Sequence, residues 1–532
     1  MKALLLWPIM PNSFWSYQET LDMAGLRSTN PPLGLITVAA LLPSDWELRF
    51  ADRNVRFETD ADWEWCDLVI ISSMIIQRQD FRDLIQKGVA LGKKVAVGGP
   101  YPTSYPEVAT EVGAHYLILD EGELTVPLFV EALNRGEETG VFRSAEKPDV
   151  TLTPIARYDL LDLDAYLAIT IQFSRGCPFQ CEFCDIINLY GRKPRTKTPA
   201  QMLKEFETIY NLGWRRYIFV VDDNFIGNTR NAKVFLRELI PWMEAHHYPF
   251  KLITEASLNL AEDDELIELM AKAGFVLIFM GIETPDVESL VGIHKLQNTR
   301  QSLIDSCHKI TRAGIQIMSG FIMGFDNERS GAGQRIRDFI QDTGIPQGQF
   351  SMLQALQNTA MWSRLKSEGR LQDGLATFHQ GAIMNFVPTR PVEEITREYI
   401  DAFWDIYSPE PYLKRTFRHF MMMNGWRGKS DRPITRQEWQ LFWKLLWRQG
   451  GVRSVRFRFW YQLAVIAIRK PRLLAEYLAT LGVGEHFFNY RYEVKAQLEQ
   501  QLEMLKQEQL AEDDAERETI HTSQSELTTQ AR

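Results

Sequence analysis

The sequence predicts an α/β protein in three parts: a doubly wound parallel sheet, then a partial barrel of six strand–helix units, then a mostly helical C-terminal region. Three observations predict it. Short apolar runs alternate with amphipathic stretches over residues 1–135. The alternation resumes over 169–360 in repeats of about 25–40 residues, as barrels require. Beyond about residue 360 the composition changes to one rich in basic and aromatic residues. A chain of 532 residues is long enough to give each part its own core.

Composition narrows the function classes. With 45% hydrophobic, 24% charged and 11% aromatic residues the chain is ordinarily globular. Only five cysteines occur and three are clustered, so no disulfide framework is expected and a reducing cytoplasm is. The start, Met1 to Pro8, looks superficially like a signal sequence, but Pro8 and Pro11 break its apolar run and no small-residue cleavage site follows. It reads as a first strand. No run of 18 apolar residues is present, so no spanning segment is expected.

In the first part, Leu4–Trp7, Trp46–Phe50, Leu68–Ser72, Lys94–Val97 and Tyr116–Leu119 read as strands, with Gly34–Leu42 and Phe81–Gly92 among the helices between them. Such sheets bind ligands beyond the carboxyl ends of their strands. Those ends read Asp52-Arg53-Asn54, Ser72-Ser73-Met74, Gly98-Gly99-Pro100 and Asp120-Glu121-Gly122-Glu123. Paired glycines at a strand end are often just a tight turn, but they also let a large flat ligand approach the backbone. Residues 136–168, with Pro148, Pro154 and the acidic run Asp159–Asp164, read as a linker.

In the second part Ala168–Phe173, Tyr217–Val221, Phe250–Thr254, Phe275–Gly281, Ile315–Ile322 and Gln349–Leu356 read as strands. Helices are expected over Pro199–Leu212, Asn231–Ala245, Asp263–Ala273, Thr299–Ala313 and Gly331–Thr343. The first strand leads into Cys177, Cys181 and Cys184, spaced Cys-x3-Cys-x2-Cys. A thiolate triplet so tight suits a metal or an iron–sulfur cluster with one iron left open. Structural zinc wants four protein ligands. The other strand ends are polar: Asp222, Asp223 and Asn224, then Glu255 and Ser257, then Glu283, each of which could equally cap the next helix.

The cysteine spacing, with Phe183 before the third thiol, resembles the signature of radical S-adenosylmethionine (SAM) enzymes. The resemblance implies a [4Fe-4S] cluster on Cys177, Cys181 and Cys184 whose open iron chelates SAM, with Phe183 beside the adenine. It implies further SAM contacts at Asp222, Asp223, Glu255 and Glu283. Gly320-Phe321-Ile322-Met323-Gly324 resembles the adenine-side motif of the family, which normally carries an acid where Asn327 stands; Glu328 comes one later and receives no role. The first part resembles the cobalamin-binding domain that precedes the radical half in one large class of these enzymes. Ser72, Ser73, Gly98, Gly99, Pro100, Glu121 and Gly122 match positions that cradle cobalamin, and Pro31–Leu35 also looks like that class. Where other cobalamin domains offer cobalt a histidine, this chain has Asn54, which implies cobalamin without a protein histidine on the metal.

The third part, 361–490, is basic and aromatic-rich. From Leu413 to Arg472 fifteen Lys or Arg stand against the two acids Asp431 and Glu438, interleaved with Trp426, Trp439, Trp443, Trp447 and Trp460. This suits an anionic membrane surface or single-stranded nucleic acid; a helical cap with core aromatics is the plainer reading. Arg456–Trp460 followed by the apolar Leu463–Ile468 favours the membrane surface, and a nucleic-acid partner is not expected. An acidic tail, 491–532, is expected to be helical over Val494–Glu518, with Leu498, Leu502 and Leu505 spaced for a short seam, and disordered over Thr519–Arg532. Cys66 and Cys307 read as ordinary buried cysteines.

The order of parts resembles that of the hopanoid C-2 methylases and their relatives. It implies a methyltransferase acting on an unactivated carbon of an apolar small molecule or lipid, with SAM, cobalamin and a [4Fe-4S] cluster as cofactors and a flavodoxin or ferredoxin as reductase. A cytoplasmic protein, peripheral at the inner membrane face, is expected. A radical rearrangement, cyclisation or RNA modification stands as the alternative. An iron–sulfur sensor or electron carrier would need neither an open iron nor a second cofactor domain.

Overall fold

The computed structural model describes residues 1–372, 381–424 and 436–530, with backbone alone for Gln437 and for 508–530. Trp426 and Asp431 lie outside the described residues, as do the side chains of the tail from 508 onward.

The first sheet contains β1 (Lys2–Trp7), β2 (Glu47–Asp52), β3 (Leu68–Ser72), β4 (Lys94–Gly98), β5 (Tyr116–Ile118) and β6 (Gly140–Phe142), all parallel in the order β2-β1-β3-β4-β5-β6. Near-continuous apolar runs such as Leu4–Leu6 and Val69–Ile71 are buried on both faces, as a parallel sheet covered by helices demands. The strand β6 lies inside the stretch expected as linker. Three residues suffice because it pairs only with β5, at the sheet edge. The rest of that stretch is no loose tether: Tyr158 is buried and its hydroxyl donates to Thr170 O at 2.9 Å, while the buried Tyr166 hydroxyl donates to Asp52 at 2.9 Å.

The second sheet opens with β7 (Ala168–Ile171). A two-strand hairpin follows, β8 (Ser174–Arg175) against β9 (Arg195–Thr196), with the cysteine loop between them. Then come β10 (Tyr217–Val220), β11 (Lys251–Glu255), β12 (Phe275–Glu283), β13 (Gln316–Met323) and β14 (Gln347–Met352). Their order, β14-β13-β12-β11-β10-β7, is parallel throughout and leaves β7 and β14 as the two edges of a partial barrel. The last strand begins and ends earlier than the sequence suggests, because the chain turns away at Ala355, whose N–H donates to Asn385.

The C-terminal region is helical: Val392–Ile406, Pro409–Met422, Arg436–Trp447, Arg456–Arg469 and Leu474–Gln530. The last helix continues through the segment expected to be disordered, which holds no proline or glycine to stop it. Leu498 and Leu502 are buried against the protein's own core and Leu505 packs on it. Part of the basic stretch is also structural, since buried Arg415 donates to Ile345 O at 3.1 Å and Pro346 O at 3.0 Å. The long helix meets the start of the chain, with Phe487 stacked on Phe14 at 4.6 Å and Gly482 O accepting from Thr20 at 3.1 Å. Cys66 and Cys307 are buried. Among the described residues no helix is long and apolar enough to cross a membrane.

Candidate functional site between the two sheets

The cysteine loop is held from below by the strand end of β10. Asp222 accepts from Phe173 N at 2.7 Å and from the Ser174 hydroxyl at 2.7 Å, and Asp223 accepts from Gly176 N at 3.0 Å. Gly176 sits at φ 94°, and a β-carbon there would come within 2.7 Å of Gly191 O, so only glycine fits at the start of the loop. Cys177, Cys181 and Cys184 are half-buried. Asn224 Nδ2 approaches Cys177 Sγ at 3.9 Å and Gln297 Nε2 approaches Cys181 Sγ at 3.9 Å. Burial pushes the Cys184 thiol up to about 12 and raises Cys177, so thiolate is favoured here only when metal takes the place of the proton. Among the described residues no three such side chains converge as ligands of a single ion would. The donor set, three half-buried thiols with amide N–H donors at two of them, fits a cluster larger than one ion.

Asp222, which is buried, and the half-buried Asp223 and Glu255 form an acidic group. Burial, then mutual repulsion, raises Glu255 to about 8; burial is also the main cause that raises Asp222 to about 7 and Asp223 to about 6. Only Asp223 and Glu255 line the cavity described below, while both oxygens of Asp222 are spent on the loop, which makes Asp222 a positioning residue. Glu283, at φ 66°, is buried in an ion pair with Lys295 and does not line that cavity. Phe183 lies 6.3 Å from Phe325 and 6.0 Å from Lys295 Nζ. Gly320 is needed by packing, since a β-carbon would sit 3.0 Å from the Phe279 ring. Gly324, at φ 103°, leaves 2.6 Å to Met384 Sδ for the same reason. Glu328 accepts from Gly324 N at 3.2 Å and pairs with Arg390 at 2.6 Å, which gives it a structural role.

Across from the loop stands the carboxyl edge of the first sheet. Gly99 has φ 96°, and a β-carbon on it would meet the Ser72 hydroxyl at 2.6 Å; on Gly98 it would meet Ile118 O at 2.8 Å. The pair is therefore demanded by the fold, and the bare backbone it leaves faces the cavity together with Ser72 and Pro100. The Ser73 hydroxyl is buried without a partner, an orphan a ligand could satisfy. Asn54 donates to Pro8 O and accepts from Met10 N, so it is occupied by the chain itself. Glu121 lines the same cavity and is also tied into the protein. Its carboxylate takes Arg175 at 2.8 Å and Arg195 at 2.7 Å, and Arg175 also binds Glu123 at 2.8 Å. Burial would raise Glu123, but hydrogen bonds and charge from Arg175 outweigh it and hold the carboxyl at about 2. These four side chains clamp the first sheet to the cysteine hairpin, and neither arginine was singled out from the sequence.

Between the two edges lies a cavity of about 920 Å³. Ser72, Gly98, Gly99, Pro100, Glu121, Gly122, Asp223 and Glu255 line it together, and the loop contributes Arg175, Leu189 and Tyr190. Much of the remaining wall is apolar or aromatic, including Trp7, Trp15, Leu35, Phe219, Phe279 and Met318. The size and lining suit a large ligand with few polar groups.

Comparison with known proteins agrees with this geometry. Family profiles match residues 20–130 as a B12 binding domain, 171–339 as the radical SAM superfamily and 359–500 as a domain of unknown function, DUF4070. An uncharacterized methyltransferase of Synechocystis is 53% identical over 504 residues, 94% of each chain. The hopanoid C-2 methylase of Rhodopseudomonas palustris is 36% identical over 419 residues, 78% of each. The fold matches that of TsrM from Kitasatospora setae, a radical SAM methyltransferase solved with cobalamin and a [4Fe-4S] cluster, at a TM-score of 0.62 and 15% identity, over 93% of this chain and 99% of that one.

Proposed function

The chain belongs to the radical SAM methyltransferases that carry a B12-binding domain, and from that premise we infer that it methylates an unactivated carbon of an apolar, hopanoid-like lipid. The observation that carries this reading is the apolar cavity of about 920 Å³ joining the glycine-lined edge of the first sheet to the mouth of the barrel. When bound, the cluster with SAM supplies hydrogen abstraction from carbon and cobalamin supplies the methyl group.

The chain's own residues supply place and exclusion of water. Cys177, Cys181 and Cys184 hold the cluster, with Asn224 and Gln297 donating toward its sulfurs. Asp223 and Glu255 are the cavity-facing acids, both raised chiefly by burial, and a cationic end of SAM beside them favours their ionised forms. Phe183 and Glu283 support the SAM side from outside the cavity wall, and Ser72 with the bare backbone at Gly98 and Gly99 receives cobalamin, with Ser73 buried behind them. The four-charge clamp keeps the two edges facing. In this reading residues 1–135 carry cobalamin, 169–360 the radical half and 361–490 the substrate end, with a flavodoxin or ferredoxin as reductase. The stretch 413–472 makes a peripheral contact at the inner face of a membrane.

The test is stoichiometry. Enzyme reconstituted without oxygen should consume two SAM per methylated product and carry a corrin spectrum. Deoxyadenosine released by protein that never binds cobalamin would sink the methyl-transfer reading.

A further inference from the structure

The cavity continues beyond the carboxyl edge of the barrel. It runs down the lumen past Phe219, Phe279 and Met318 to Tyr217, Gln316 and Gln347, the first residues of β10, β13 and β14. There the wall passes to the C-terminal region, to Glu438 and Leu441 of helix Arg436–Trp447 and to Ala479, Thr480 and Val483 of the last helix. This lower rim is accessible, with Arg27 exposed and Leu441 half-buried. The upper edge, in contrast, is taken by the first sheet and its clamp.

Helix Arg436–Trp447 has a second face. Trp439, Trp443 and Trp447, four residues apart, form one stripe of indoles that are 48%, 63% and 71% exposed. Phe457 and Tyr461 are exposed on the next helix in the chain, Arg456–Arg469. Exposed arginines accompany them, Arg456 over the Phe457 ring and Arg469 and Arg472 at the far end of that helix and just past it, whereas Arg448 pairs with Glu19 at 2.9 Å and Arg458 with Glu410 at 3.2 Å. Exposed aromatics framed by cations complement an anionic bilayer, where indoles sit at headgroup level.

We propose that the amino-edge mouth of the barrel is the portal through which a membrane lipid reaches the site, with helix Arg436–Trp447 lining the lumen on one face and docked on an anionic bilayer by the other. The proposal rests on the apolar-substrate reading above. A lipid that passes from bilayer to lumen through this mouth never exposes its hydrocarbon to water, at about 25 cal/mol per Å² avoided.

The experiment uses the full-length reconstituted enzyme and vesicles of equal parts phosphatidylcholine and phosphatidylglycerol, carrying a pyrene-labelled sterol. The protein should sediment with these vesicles and take up the probe, and should bind phosphatidylcholine alone more weakly. The variant Trp439→Ser/Trp443→Ser/Trp447→Ser should partition on the order of a hundredfold less. Leu441→Arg should still sediment but lose probe uptake. Should the triple variant lose bound cobalamin, and so its fold, Phe457→Ser/Tyr461→Ser carries the test in its place, with the same direction of effect. Wild-type protein that stays in the supernatant, that binds single-stranded RNA in preference to vesicles, or whose tryptophan and Phe457/Tyr461 variants sediment unchanged overturns the docking. Undiminished probe uptake by Leu441→Arg overturns the portal. SAM cleavage and the corrin spectrum of the wild-type protein report on the reaction separately, so failure there leaves the vesicle result standing.

Discussion

The two sheets solve the same architectural problem with opposite chemistry. Each has six parallel strands and presents a ligand site at its carboxyl edge. The edge of the first sheet is nearly bare, with Gly98, Gly99 and Ser72 beside Pro100; the edge of the second is crowded with three thiols and three acids. A large flat ligand is held by shape and backbone, which only the absence of side chains permits. A small charged ligand and a cluster are held by side chains whose ionisation the fold has already displaced. The first edge is therefore fragile to added volume, and the second to changes of charge or sulfur.

The largest effect separates the edges outright. Cys177→Ala should remove all iron absorbance and all deoxyadenosine release while the corrin spectrum persists; loss of both cofactors together would mean that the edges fold as one unit. Next comes the clamp between them. Arg175→Ala leaves Glu121 and Glu123 buried beside a missing partner and should cost about 3–5 kcal/mol in denaturant unfolding. Gly99→Ala forces a β-carbon against the Ser72 hydroxyl at a positive φ. It should cost about 1–3 kcal/mol and lower bound cobalamin with iron unchanged, and adding Ser72→Gly should recover part of the loss.

Acidity gives a finer comparison. Glu255 is raised from 4.5 to about 8, so its contribution to stability is complete below pH 4.5 and is lost as pH rises through about 8. Glu255→Gln should flatten that alkaline decline in melting curves of the cofactor-free protein. Glu123 runs the other way. Its carboxyl is held at about 2, so its contribution is present above pH 4.5 and is lost as pH falls toward 2; Glu123→Gln should flatten the acid side. The smallest expected change is electrochemical. Asn224→Leu removes an N–H near Cys177 Sγ and should lower the cluster's midpoint potential with iron content unchanged, as followed by redox titration.

Much of this was legible in the sequence where the signal is contiguous. The cysteine triplet, the glycine pair and eleven of the strands could be read because each is carried by neighbouring residues. The ligand roles of Asp222 and Glu121 could not. Adjacent residues at a strand end point to opposite sides, so of Asp222 and Asp223 only the second faces the cavity. Glu121 looks like a ligand residue until Arg175 and Arg195, 54 and 74 positions away, arrive beside it. Lys295 meets Glu283 only because the short helix Val287–Gly292 after β12 brings it back. In the basic stretch, composition shows that tryptophans and arginines are many but not which are buried. Arg415 and Phe459 belong to the core, whereas Trp443 and Phe457 do not.

The stacking of Phe487 on Phe14 has a temporal consequence. One rim of the site comes from the earliest part of the chain to be synthesised and another from among the last, so during translation at about 5–20 residues per second both parallel sheets can form well before that rim is complete. Until residues 474–490 have been made and docked, the lower rim of the lumen lacks one of its walls. Any cofactor that needs a dry compartment is best loaded after translation, and a polypeptide stopped short of this helix would be a poor recipient for it.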